Sequence, residues 1–461
     1  LILSPNRIFA EYISDVLPEL GEQNICEVSF DDIARRETAG MSEIEECEPK
    51  QEQLEFIIRC EPDDARLQQI RFKRSLLFLR ELQAFVRELE DSLVTFSDYT
   101  FSLPARTQDD CARSYTVTAD ELRKLYCGNF SALPVFQRLG QIAERIAEHF
   151  ESEHHISLST LRRDEIVQGL YAMCRTTNVR ALYTEFLRSI SEKYSVLENG
   201  GNAGEGCLRY EDIFPVVLMK LLLFGRPNSR FDRIRHVVVD EMQDYSMVQY
   251  ELLRVLFRCS MTILGDTGQM LDCGGDTLLD DIRGVFGPKT TLVRLEKSYR
   301  STLEISEFCR RLGRTSGTQA FARRGKAPAL EKCLDYPDMI LRLQGRMDRI
   351  DPSRTATAAV ICKTATAAER LYLALDSAHR ERCHRMNAED DDFEKGILIT
   401  NSCLAKGLEF DLVIVPEADA EEYHTDRDRR ILYIACTRAL HELELLYFGA
   451  PSPFLIFGDV D

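Results

Sequence analysis

A chain of 461 residues exceeds what one hydrophobic core usually organises, so two or three domains are expected. Its 44% hydrophobic and 29% charged content excludes a disordered or fibrous chain, and no apolar run approaches a membrane span. A net charge of −18 excludes a surface that is basic throughout, leaving a local basic groove or docking on a basic protein.

The fifteen cysteines contain no CxxC pair, and Cys174, Cys309, Cys362 and Cys436 sit inside apolar runs. This pattern argues against a zinc site or a disulfide framework and predicts reduced thiols. With neither a membrane span nor a signal peptide, the cytoplasm is the expected location.

In chain order, residues 1–4 read as a strand that turns at Pro5-Asn6 into a helix carrying Ile8, Phe9, Tyr12, Ile13 and Val16. From about 31 to 205 helical periodicity dominates. Residues 67–93 predict one helix, capped by Asp63 or Asp64, and residues 115–150 a turn at Cys127-Gly128-Asn129 followed by an amphipathic helix. The acidic run 43–52 reads as a solvated face, and the glycines of 199–204 as a flexible joint. No cluster here implies chemistry, so 31–205 is expected to be a helical insertion acting as a binding arm.

A helix over 208–225 precedes the informative stretch. Val237-Val238-Val239 predicts a buried strand, and it runs directly into Asp240, Glu241, Gln243 and Asp244. A solvated loop could carry such acids. Here they follow a buried strand, and open α/β sheets bind ligands beyond the carboxyl ends of their strands. One carboxylate can hold Mg²⁺ through water while its neighbour polarises an attacking water. A helix over 246–257 and a short strand at 261–264 then bring Asp266 and Gln269 to a loop. That amide could sense a terminal phosphate; an ordinary Gly-Asp turn is the plainer alternative.

Residues from about 291 onward predict a second α/β unit. Strands are expected at 358–362, 396–400, 411–415 and 442–447, with a helix over 430–440 that contains Arg438. Two sheets with charged loops imply a cleft between them.

Six segments carry a family resemblance: Ser4-Pro5-Asn6; Asp240-Glu241-Met242-Gln243-Asp244; Gly265-Asp266 with Gln269; Lys297-Ser298-Tyr299-Arg300-Ser301-Thr302; Ala405-Lys406-Gly407-Leu408-Glu409-Phe410; and Thr437-Arg438-Ala439. In this order they resemble the UvrD/Rep-type branch of superfamily 1 helicases, and in detail the helicase-IV/HelD-like group, which includes factors that recycle stalled RNA polymerase. The resemblance covers about 1–30 and 206–461. It implies an α/β protein of two RecA-like parallel-sheet domains with the P-loop NTPase fold. The first would comprise 1–30 and 206–290, interrupted by the mostly helical 31–205, and the second 291–461.

The resemblance also implies ATP and Mg²⁺ as cofactors, with Asp240 on the metal and Glu241 as general base. Gln269 would sense the γ-phosphate, and Arg300 and Arg438 would be arginine fingers. Tyr299 would stack on adenine, with Glu409, Gly407 and Asp266 also lining the nucleotide. Ser4, Asn6 and Lys406 would meet nucleic acid, either single- or double-stranded DNA or an RNA–DNA hybrid. RNA polymerase is the expected protein partner, through 31–205, and the activity is that of an ATP-dependent helicase or translocase. The alternative is a polymerase-recycling factor released by ATP without unwinding. A recombination helicase-nuclease subunit fits less well, because no nuclease-like carboxylate and lysine cluster follows Tyr447.

Three departures qualify this picture. The phosphate cradle GxxxxGK[ST] is absent: Gly325-Lys326 lacks the upstream glycine and is followed by alanine. In the family that loop precedes the Ser-Pro-Asn segment, so an N-terminally truncated chain that hydrolyses ATP poorly is expected. Asn401 and Cys403 replace a Thr and a His that often touch single-stranded DNA. The interval from Arg300 to Lys406 leaves little room for a large extra domain, which favours the polymerase-associated group.

Overall fold

The computed structural model describes residues 1–4, 26–104, 113–197, 207–226, 230–270, 275–295, 297–314, 319–320, 323–351, 355, 357–386 and 396–457. Four parallel strands form the first sheet: β1 (Ile2–Ser4), β2 (Glu27–Ser29), β3 (His236–Val239) and β4 (Ser260–Ile263), in the order β2-β1-β3-β4. β1 pairs with β3 at Leu3↔Val239, although more than 200 residues separate them. Both side chains are fully buried, as expected of a parallel strand covered on both faces.

Between β2 and β3 lie the helices of the inserted segment, the largest being Leu76–Ser92, Val135–His154 and Val179–Ser191, followed by helix Tyr210–Phe224 of the first domain. Expected to be an arm, the helices of 31–205 share a core with the first sheet. Phe78, Leu139 and Phe186 belong to the same buried cluster as Leu3, Val237 and Val239. The helix expected over 67–93 is two helices, Ala65–Arg74 and Leu76–Ser92, split at Ser75. The serine is extended (ψ 158°) and its hydroxyl accepts from Phe78 N, a local bond that competes with helix continuation. Asp64 caps the first helix through the amides of Arg66 and Leu67. The predicted 5–21 helix and the 199–204 joint lie outside the described residues.

Six parallel strands form the second sheet: β5 (Ala329–Cys333), β6 (Ala358–Cys362), β7 (Cys383–Arg385), β8 (Ile397–Asn401), β9 (Phe410–Val415) and β10 (Ala439–Phe448), ordered β5-β10-β9-β6-β8-β7. Helices Leu303–Gly313 and Asp426–Cys436 pack on one face, and Tyr336–Met347 and Ala365–Ala374 on the other. The helix expected over 430–440 ends at Cys436, and β10 starts at Ala439. Arg438 therefore stands at a helix–strand joint, because Ala439–Phe448 alternates as a strand once it leaves the helix. Among the described residues the cysteines are free thiols, and no helix is long and apolar enough to cross a membrane.

Candidate active site

The site begins where β3 ends. Glu241 adopts a left-handed backbone (φ 50°, ψ 50°), an arrangement that costs a non-glycine residue of order 1–3 kcal/mol. This bend tips the chain into a tight turn at Met242–Asp244 and buries the Glu241 carboxylate. Gln243 Nε2 donates to Glu241 Oε2 at 2.5 Å, and Gln243 Oε1 accepts from Asp266 N at 3.1 Å. One amide thus fixes the acid and ties the β3 loop to the β4 loop. Burial raises the Asp240 carboxyl, against the lowering influence of Arg300 and Arg438. Burial also raises Glu241, opposed by Lys406 and reinforced by Asp244.

The loop after β4 completes this side. Asp266 accepts from Gly268 N at 2.8 Å and from Gln269 Nε2 at 3.0 Å. Gly265 is required by proximity: a Cβ there would lie 2.5 Å from Gln243 Oε1 and 2.7 Å from Met242 N. Gly265→Ala should therefore displace Gln243 and lower stability by about 1–3 kcal/mol, read from the midpoint of urea unfolding. An unchanged midpoint would show that the two loops are not in tight contact.

The second sheet supplies cations. Arg438 is fully buried; it donates to Gln269 Oε1 at 2.8 Å and to Ile434 O at 3.2 Å. Its Nη1 finds no acceptor among the described residues. Burial, followed by the charge of Arg300, lowers the pKa of Arg438, whereas Glu241 and Glu409 act to raise it. Arg300 pairs with Glu409 at 2.6 Å, Tyr299 is 63% exposed, and Gly407 sits at φ 88° in the turn before Glu409. Tyr433 reaches Asp266 across the same gap at 3.5 Å.

Lys406, expected on nucleic acid, is buried, and its ammonium pairs with Asp244 and approaches Gln269 O at 3.5 Å. Burial pushes the Asp244 carboxyl up, but Lys406, with Lys50 and Arg74 behind it, brings the net value below the ordinary 3.8. A carboxyl depressed on folding adds stability in full above its ordinary range, and this is lost as pH falls through the lowered value. Lys406→Met should cost about 3–5 kcal/mol by leaving Asp244 unpaired, and the deficit should shrink in strong acid. Parallel acid titrations of both proteins check this; equal stability at pH 7 would contradict it. Ser4 ends β1, and Asn6 lies outside the described residues.

Gln243, Asp244 and Tyr433 belong to the site but received no role from the sequence. Gln243 and Asp244 lay within the acidic motif, yet their partners Asp266 and Lys406 are 23 and 162 residues away.

Two family models match the chain: the UvrD/REP helicase N-terminal domain over residues 139–271 and the UvrD-like helicase C-terminal domain over 397–446. The chain carries the N- and C-terminal domains of the UvrD/REP helicases. The UvrD-type N-terminal match spans both the later insertion helices and β3–β4, in keeping with their shared core. Among solved structures, one similar chain is the C-terminal domain of a possible DNA helicase from Lactobacillus plantarum WCFS1. Identity is 33%, with 34% of this chain and 92% of that one covered and a TM-score of 0.30. Another is the PRRSV helicase, at 15% identity, 46% of this chain and 35% of that one, and a TM-score of 0.25. No curated protein matches the chain. UvrD-type helicase domains imply nucleotide use and nucleic-acid binding.

The described residues fit one side of a nucleotide site. A buried guanidinium with an open N–H suits a phosphate oxygen, and Asp240 suits Mg²⁺, which commonly takes one or two carboxylates and keeps several waters. The phosphate-cradle motif GxxxxGK[ST] does not occur in the 461 residues.

Proposed function

We propose that the protein is an ATP-dependent motor in which hydrolysis at the cleft between the two sheets drives their relative motion. The observation that carries this reading is the buried Arg438–Gln269 bond, which joins a cation of the second sheet to the loop beside Glu241. Glu241 would take a proton from the water that attacks the terminal phosphorus of ATP as its bond to the ADP oxygen breaks, and Asp240 would hold Mg²⁺. Arg300 and Arg438 offset charge at the phosphates, and Tyr299, exposed at the cleft, offers a stacking face for adenine. The Arg438 guanidinium reaches this position only when the sheets close, so turnover and closure are coupled. Phosphate-release assays on the protein as expressed in its host, with and without single-stranded DNA, test the reading. Absence of ATP turnover under both conditions would defeat it.

A finer reading places the protein with the HelD-like RNA polymerase-recycling factors. Two observations favour it: the net charge of −18, and the four strands of the second sheet, β5 to β8, that the interval from Arg300 to Lys406 supplies. The insertion shares the first core, so deleting it would damage the fold. The test is capture of core RNA polymerase by the full chain, with release on adding ATP. Failure to capture polymerase would leave the motor reading alone.

A further inference from the structure

Helices Lys50–Arg59 and Ala65–Arg74 form a hairpin that packs through Ile57, Leu67 and Ile70 and is held on two sides. One side of it is fastened to helix Tyr210–Phe224 in the first body: Lys73 pairs with Asp212 at 2.6 Å, Gln53 donates to Glu211 at 2.8 Å, and Arg66, beside the turn, reaches Glu211 at 3.2 Å. Its other side, from Glu55 to Cys60, meets the second sheet. There the Glu55 carboxylate accepts from Ala365 N at 2.9 Å, at the start of helix Ala365–Ala374. An anion at that position meets unpaired amides and the positive end of the helix dipole. Arg59 bonds Thr366, Arg427 donates to Cys60 O at 2.6 Å, and Ile58 is buried in the core of the second sheet.

The hairpin crosses the carboxyl ends of strands in both sheets. Arg74 donates to Gln243 O beyond β3, and Glu55 and Arg59 sit on residues 365 and 366 beyond β6. It also walls a cavity of about 100 Å³ whose far side is Cys403 and Lys406, beyond β8. Open α/β sheets bind their ligands at these ends. We propose that residues 50–74 are a displaceable strap: rooted in the first body, they tie down the second sheet and cover the face that a long polymer must reach. The contacts of residues 55–60 with the second sheet release, while the ion pairs to Glu211 and Asp212 keep the strap attached. Its bearing on nucleic acid rests on the helicase reading; the tie between the two bodies does not.

The test uses the full chain with Ile58→Asp, and separately Glu55→Lys combined with Arg59→Ala, which spares the buried position. Thermal melts confirm that each variant folds. Small-angle scattering should show a larger radius of gyration in both variants, and a fluorescent (dT)20 probe should bind at least fivefold tighter than to the parent. An unchanged radius in the folded variants overturns the strap. A larger radius with unchanged probe affinity, where the parent does bind, overturns its role as a cover. If no protein binds the probe, the nucleic-acid reading fails, while scattering still decides whether the strap ties the two bodies.

Discussion

In the protein as expressed in its host, replacing Glu241 with glutamine should lower ATP turnover by about 10²–10⁴-fold, the usual worth of a positioned general base, while nucleotide binding persists. Glutamine preserves the shape of the side chain and can present its carbonyl oxygen to Gln243 Nε2, so the left-handed turn and its packing survive. What it cannot do is accept a proton from water. The parent should also show an acid limb. Burial raises the Glu241 carboxyl above its ordinary 4.5, and a base must be ionised to act. Turnover should therefore fall as pH drops through that raised value, and the limb should vanish from the residual rate of the variant. Phosphate release across pH, beside binding of a fluorescent ATP analogue, separates the two effects. Parent-like turnover in Glu241→Gln would remove the residue from the chemistry.

Replacing Arg438 with lysine should cost about 10³-fold or more in kcat, within the range for arginine fingers. Charge is conserved in this change, so the loss isolates geometry. A guanidinium can donate to Gln269 with one nitrogen and aim Nη1 elsewhere, whereas an ammonium is a compact point charge that cannot hold that fork. The side chain is fully buried, so some instability accompanies the change. A thermal melt together with kcat and KM distinguishes the causes: an Arg438→Lys protein that is folded yet slow supports the role, and turnover within tenfold of the parent would end it.

Much of the second sheet was legible because its strands are continuous apolar runs: β6, β8 and most of β9 are buried along their length, and each was expected within a residue or two. β5 escaped because Ala329–Cys333 is a mostly exposed edge strand whose composition carries no apolar run. The end of the Asp426–Cys436 helix was misplaced because Cys436 through Leu440 is equally compatible with either period. In the first body the helices were readable and their packing was not. Periodicity reports which face is apolar, but not that Phe78 and Phe186 would join one buried cluster with a sheet whose neighbouring strands are far apart in sequence. In the candidate site, the acidic motif was visible as too many charges after a buried strand. Its neighbours across the cleft were named only through a family pattern, and the pairing of Lys406 with Asp244 appears only when the two sheets meet.

The shared core of the first body has a mechanical consequence. Helix Val135–His154 has 20 residues and so runs about 30 Å, and it is packed without a break into the cluster that holds β1 and β3. Close-packed interiors deform little. The β3 loop and the remote end of that helix therefore turn together, as the short and long arms of one lever. A displacement at the cleft is carried through the core toward the far end of that helix instead of being absorbed between them.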